Sequence, residues 1–150
     1  MSPTRSAPTA QTDWADEVLR FWFTELSRQQ WFADGATLDD PIRSHFLDVH
    51  RMVAAAPGDA LLADAKMALA AVIVLDQFSR NMFRGTPDAF ANDAKALAIA
   101  QTTIVKGFAG ALSSDEQLFV YLPFEHQENV DATNREDEIR TAPRSSKNWR

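Results

Sequence analysis

Nine consecutive apolar residues, MALAAVIVL (67–75), constrain this chain more than any other stretch. A helix that is apolar on every side belongs inside a globular core, because any solvent-facing side would leave hydrocarbon in water. The run is too short for a membrane span, which needs about 20 residues. A water-soluble domain wrapped around one buried helix is therefore expected, with no membrane partner. Directly after the run comes LDQFSRNMFRGT (75–86), which sets Asp76, Gln77, Arg80, Asn81 and Arg84 at the mouth of that core. Charge placed there is costly unless it is paired or serves a ligand.

The flanking segments read as further helices. Asp13 suits an N-cap, and Trp14, Val18, Phe21, Trp22 and Leu26 follow at helical spacing, so a first helix is expected over residues 13–26. Trp31 and Phe32 then plug the core from a loop. Thr37, Asp40 and Pro41 resemble a capped helix start, and a second helix is expected over 39–55, stopped by Pro57-Gly58. Asp59 caps a third, over 60–79, which contains the apolar run. Thr86-Pro87-Asp88 restarts a fourth over 87–106, closed by Gly107. Ser113 and Glu116 form a capping box for a fifth over 114–122, ended by Pro123. No segment alternates as a strand would. The expected fold is all-α, about five helices joined by short loops as antiparallel hairpins.

Three divisions of the chain follow. Residues 1–12 (MSPTRSAPTAQT) read as a flexible leader without the apolar stretch of a secretory signal, residues 13–129 as the helical domain, and residues 130–150 as a polar, disordered tail. The net charge of −6 and pI near 5.0 argue against sequence-independent nucleic-acid binding, which requires a basic face. With no cysteine there is no thiol nucleophile or thiolate metal site, which fits a reducing cytoplasm.

Four strings, DEVLRFWF, QQWFADGATLDDPIRSHF, LDQFSRNMFRGTPDAFANDAKALAIA and LFVYLPFEHQEN, resemble in order and spacing the bacterial domain of unknown function 924. The resemblance spans residues 13–129 and implies a tetratricopeptide-repeat-like stack of helical hairpins. It implies little chemistry. Repeat-like architecture comes from this resemblance alone, since no 34-residue repeat is visible in the sequence. From Val130 the polar continuation departs from the amphipathic helix usual in that family. A divergent or truncated end would leave an apolar face uncovered and invite a homodimer.

Two functional readings stay open. In the first, the chain is a binding or scaffold module: Arg80 and Arg84, with Gln77, Asn81 and Asp93, hold a small anionic ligand or an acidic peptide, because the planar arginine fork suits carboxylate and phosphate. In the second, it is a small hydrolase-like enzyme in which His126 acts as general base beside Glu125 and Asp76. Glu125 and Glu128 share helical spacing, but His126 between them faces elsewhere, so no metal ligands are assigned, and the hydrolase reading holds with or without a divalent metal. No motif demands a cofactor: G-x-S-x-G, the P-loop and H-E-x-x-H are all missing from the sequence. The structural alternative is an ordinary ion-pair network that ends one helix and begins the next.

Overall fold

Burial is deepest where the apolar run lies: Ala68 to Leu75 are each 0% exposed. The computed structural model describes the backbone of residues 7–33 and 36–141, and the side chains of residues 13–33 and 36–128. Among the described residues there is helix and no strand. The helices are α1 (Ala7–Arg20), α2 (Arg28–Trp31), α3 (Asp39–Ala55), α4 (Ala65–Val72), α5 (Ser79–Met82), α6 (Asp93–Val105) and α7 (Ser114–Thr141). A π-helical segment, Phe21–Glu25, extends α1, and a second, Ile73–Phe78, joins α4 to α5 without a break. Counted as rods, these are the five expected helices plus the short α2.

The central rod forms because eight residues of α4 and its π continuation can bury whole side chains, each Val, Leu or Ile contributing about 1.5–3 kcal/mol. Helices α1, α6 and α7 pack against α4, while α3 packs against the π segment and α5. Trp22, Phe78 and Phe119 meet edge to face, with Trp22 5.8 Å from Phe78 and 5.4 Å from Phe119. These rings join the first, central and last rods.

Several expected boundaries move. The rod holding the apolar run is capped by Asp64, whose carboxylate accepts from the Met67 N–H at 2.8 Å, and Asp59 lies instead in a 3-10 turn, Gly58–Leu61. At the start of α3 the Thr37–Asp40 box does not form; the cap position is Leu38, without a side-chain bond. An unforeseen box opens α2, where Ser27 and Gln30 bond reciprocally. The Ser113–Glu116 box forms as expected, at 2.8 and 3.1 Å. Gly85 and Gly107 turn the chain at φ 83° and 81°, a left-handed conformation that a Cβ opposes. Trp31 packs on the core, but Phe32 is 54% exposed and does not plug it.

The two ends differ most from expectation. Helix α1 begins at Ala7, so the expected leader is helical from that residue; residues 1–6 lie outside the described residues. Pro8 does not prevent this, since a proline in the first turn gives up an N–H that has no helical partner. Helix α7 runs past Pro123 and past Val130 to Thr141, so the segment expected as a disordered tail is helical backbone to that point. Pro123 forfeits one backbone bond but is itself buried. The Arg and Glu residues beyond it are good helix formers even without an apolar stripe. The expected disordered tail over residues 142–150 lies outside the described residues.

Candidate functional site

A π turn closes i→i+5 bonds where an α-helix closes i→i+4, and such turns recur at functional sites. Asp76 and Gln77 lie in one, Arg80 and Asn81 follow in α5, and Arg84 lies just past it. Asp76 is 1% exposed. Its Oδ1 accepts from Arg80 Nη1 at 2.9 Å and meets His126 Nδ1 at 2.9 Å, while Oδ2 accepts from Gln77 Nε2 at 3.0 Å. An ionised carboxylate only accepts, so His126 carries its proton on Nδ1 and donates it.

Arg80 is held on three sides. Nη1 and Nη2 fork onto Asp93 at 3.0 and 3.1 Å, Nη1 also reaches the Asp76 carbonyl at 3.0 Å, and the guanidinium lies 5.2 Å from the Phe90 ring centroid. Arg84 makes a second fork onto Asp39, at 2.6 Å from Nε and 2.9 Å from Nη2, and Asn81 Nδ2 donates to the same carboxylate at 2.9 Å. The Arg84 bond holds the Asp39 carboxyl below its ordinary value; burial pushes the other way, and the Asn81 bond helps Arg84 prevail. The same Asp39 bond raises Arg84.

Seven of the eight expected site residues are thus drawn into two adjoining networks: Asp76, Gln77, Arg80, Asp93 and His126 in one, Asn81 and Arg84 in the other. The eighth, Glu125, is exposed and bonds to neither network among the described residues. Its neighbour His126 reaches in instead, because successive helical residues point about 100° apart. The two arginines expected to capture an anion are each clamped by a carboxylate. Asp39 was not foreseen as a site residue, since in sequence it reads as an acidic residue in a helix's first turn. Its opposing Arg84 is 45 positions away.

Beside these networks lies a cavity of about 150 Å³. Its lining combines the indoles of Trp22 and Trp31, the polar Gln77, Arg80, Asn81 and Arg84, and Gln30, Ala33, Thr37 and Leu38. The indoles stack at 6.3 Å, and Trp31 Nε1 donates to the Trp22 carbonyl at 2.7 Å. Both π segments therefore contribute to the lining, Trp22 from one and Gln77 from the other.

Elsewhere around the π segment, His50 Nε2 lies 2.7 Å from Ser79 Oγ, and both residues are buried. Burial, with the nearby Arg51 charge, lowers the His50 pKa and favours a neutral ring. Among the described residues, no three His, Asp or Glu side chains gather in a metal-binding arrangement. No helix among them is long and apolar enough to cross a membrane.

Comparison with known proteins adds a family and a structural relative. The family model described as "bacterial protein of unknown function (DUF924)" matches residues 18–148. The solved structure of a protein of unknown function from Agrobacterium tumefaciens is similar, with a TM-score of 0.73 and 34% identity, covering 85% of this chain and 72% of that one. No curated protein matches the chain. The all-α arrangement is compatible with a tetratricopeptide-like superfamily.

Proposed function

The chain belongs to the bacterial family DUF924, and for this member we propose a binding function: the cavity beside the exit of the central helix holds a small molecule. The observation that carries this is the preorganised lining. Polar side chains of the lining are held by Asp39, Asp76 and Asp93, and two tryptophans share that lining. Concave sites with a few held polar groups and an apolar wall are where small ligands bind. A network meant only to join two helices needs no cavity in front of it.

The test is a thermal-shift screen of small polar compounds against the wild type and Thr37→Trp, which fills the cavity from an exposed lining position. At a concentration 100-fold above Kd, a ligand stabilises by about 2.7 kcal/mol. Stabilisation confined to the wild type supports the proposal. Equal stabilisation of both proteins, or none of either, overturns it.

The contact between Asp76 and His126 favours a second function, general-base catalysis. Asp76 orients the ring and keeps the proton on Nδ1, which leaves the Nε2 lone pair to accept one from a substrate. Hydrolysis of small esters or amides that disappears in His126→Gln, with the fold retained, would establish it.

A further inference from the structure

We infer that the cavity takes an uncharged planar molecule bearing both an N–H donor and a carbonyl-type acceptor, an amide or lactam of roughly benzene's size, rather than an anion. This rests on the cavity being a ligand site, as proposed above. The reason lies in the direction the lining amides must face. Asp76 and Asp39 are acceptors, so Gln77 and Asn81 turn their –NH2 groups toward them, at 3.0 and 2.9 Å. Each is left with a carbonyl oxygen that has no partner among the described residues. Gln30 is turned the other way. Its Oε1 accepts from the Ser27 N–H at 2.8 Å, so its –NH2 is the group left over.

Trp22 is 1% exposed and lines the cavity, but its Nε1 is buried out of reach of a molecule there. A ligand carbonyl would accept from the Gln30 –NH2, and a ligand N–H would donate to the oxygen of Gln77 or Asn81. An anion fits poorly. It would meet those two amide oxygens, and the two arginines in the same lining are already balanced by Asp39, Asp76 and Asp93. The volume of about 150 Å³ suits a guest the size of benzene.

The experiment titrates the full-length protein with 2-pyridone, N-methyl-2-pyridone, acetate, inorganic phosphate and benzene. The readout is the ¹H–¹⁵N signals of the Gln30, Gln77 and Asn81 side-chain amides. The expected result is that 2-pyridone moves all three signals, that N-methylation weakens binding about tenfold or more (~1.4 kcal/mol per tenfold), and that acetate and phosphate leave the signals in place. If N-methyl-2-pyridone, acetate, phosphate or benzene binds there as tightly as 2-pyridone, the ligand class is overturned and the cavity stands as a ligand site. If no compound moves these signals, both the ligand class and the cavity's function are overturned.

Discussion

Nδ1 of His126 lies 2.9 Å from Oδ1 of Asp76, a contact that ties the last helix to the central one across 50 residues. The same oxygen accepts from Arg80, so a single buried carboxylate joins α5, α7 and, through Arg80 and Asp93, α6.

Removing that carboxylate should be costly. Asp76→Ala removes the acceptor shared by Arg80 and His126 and leaves Arg80 its Asp93 fork, and losing hydrogen bonds to a charged group costs about 1.5–3 kcal/mol. Urea denaturation of the variant checks this. A loss under about 0.5 kcal/mol would mean that Asp76 is solvated rather than 1% exposed.

Asp39 should make stability fall in acid. Its folded pKa is depressed, chiefly by the Arg84 bond, so its contribution is full above the unfolded value near 3.9 and is lost as pH falls through the lower folded value. Arg84→Gln should flatten that part of the curve. Melting temperatures from pH 2 to 6 would show it; identical acid limbs in the two proteins would dismiss the Arg84–Asp39 pair as a source of stability.

His50 acts at higher pH and with the same sign. Its folded pKa is lowered by burial, so the unfolded chain takes up a proton first once pH drops below about 6.5. Stability is full above that value and declines as pH falls toward the folded pKa, by at most about 1.4 kcal/mol per pH unit, the effect of one proton. His50→Gln leaves Ser79 a polar partner that does not titrate. The difference between the two proteins' stability curves should therefore slope below pH ~6.5 and be level above it.

Lys95 stabilises a helix to which it does not belong. From α6 its Nζ donates to the carbonyls of Val53 at 3.1 Å and Ala54 at 2.9 Å, and also to that of Ala56, at the C-terminal end of α3. The Val53 carbonyl also accepts from the Ala56 N–H at 3.3 Å, while the last carbonyls of a helix otherwise lack donors within it. Lys95→Met should lose about 1–3 kcal/mol and speed amide exchange over the last turn of α3. Unchanged exchange there would show that water caps the helix equally well.

What was readable in the sequence was local. MALAAVIVL announces the buried rod, α3 begins and ends where Pro41 and Pro57 frame it, and Ser113 with Glu116 marks the start of α7. The Asp76–Arg80 pair follows from their i, i+4 spacing, even across a π turn. Three things were not readable. Asp39 meets Arg84 and His50 meets Ser79 only because the rods pack, and spacing along the chain carries no trace of that. Pro123 reads as a terminator, but burial and the helix formers beyond it outweigh one lost backbone bond. The wide turns at Phe21–Glu25 and Ile73–Phe78 change hydrogen-bond register without any unusual composition.

The second of those turns has a consequence for how the site and the core share one helix. A π turn holds one residue more than the α turn it replaces. Upstream of Ile73 the rod keeps the phase that buries α4; downstream, the side chains are offset by about 100°. Deleting one residue within 73–78 would restore a uniform α-helix and preserve an apolar rod of nearly the same length. It would also rotate Arg80, Asn81 and Arg84 away from Asp93 and Asp39. The core and the site are thus separable by a single backbone insertion, and a shortened variant that folds with its carboxylate–arginine pairs undone is the form that separation would take.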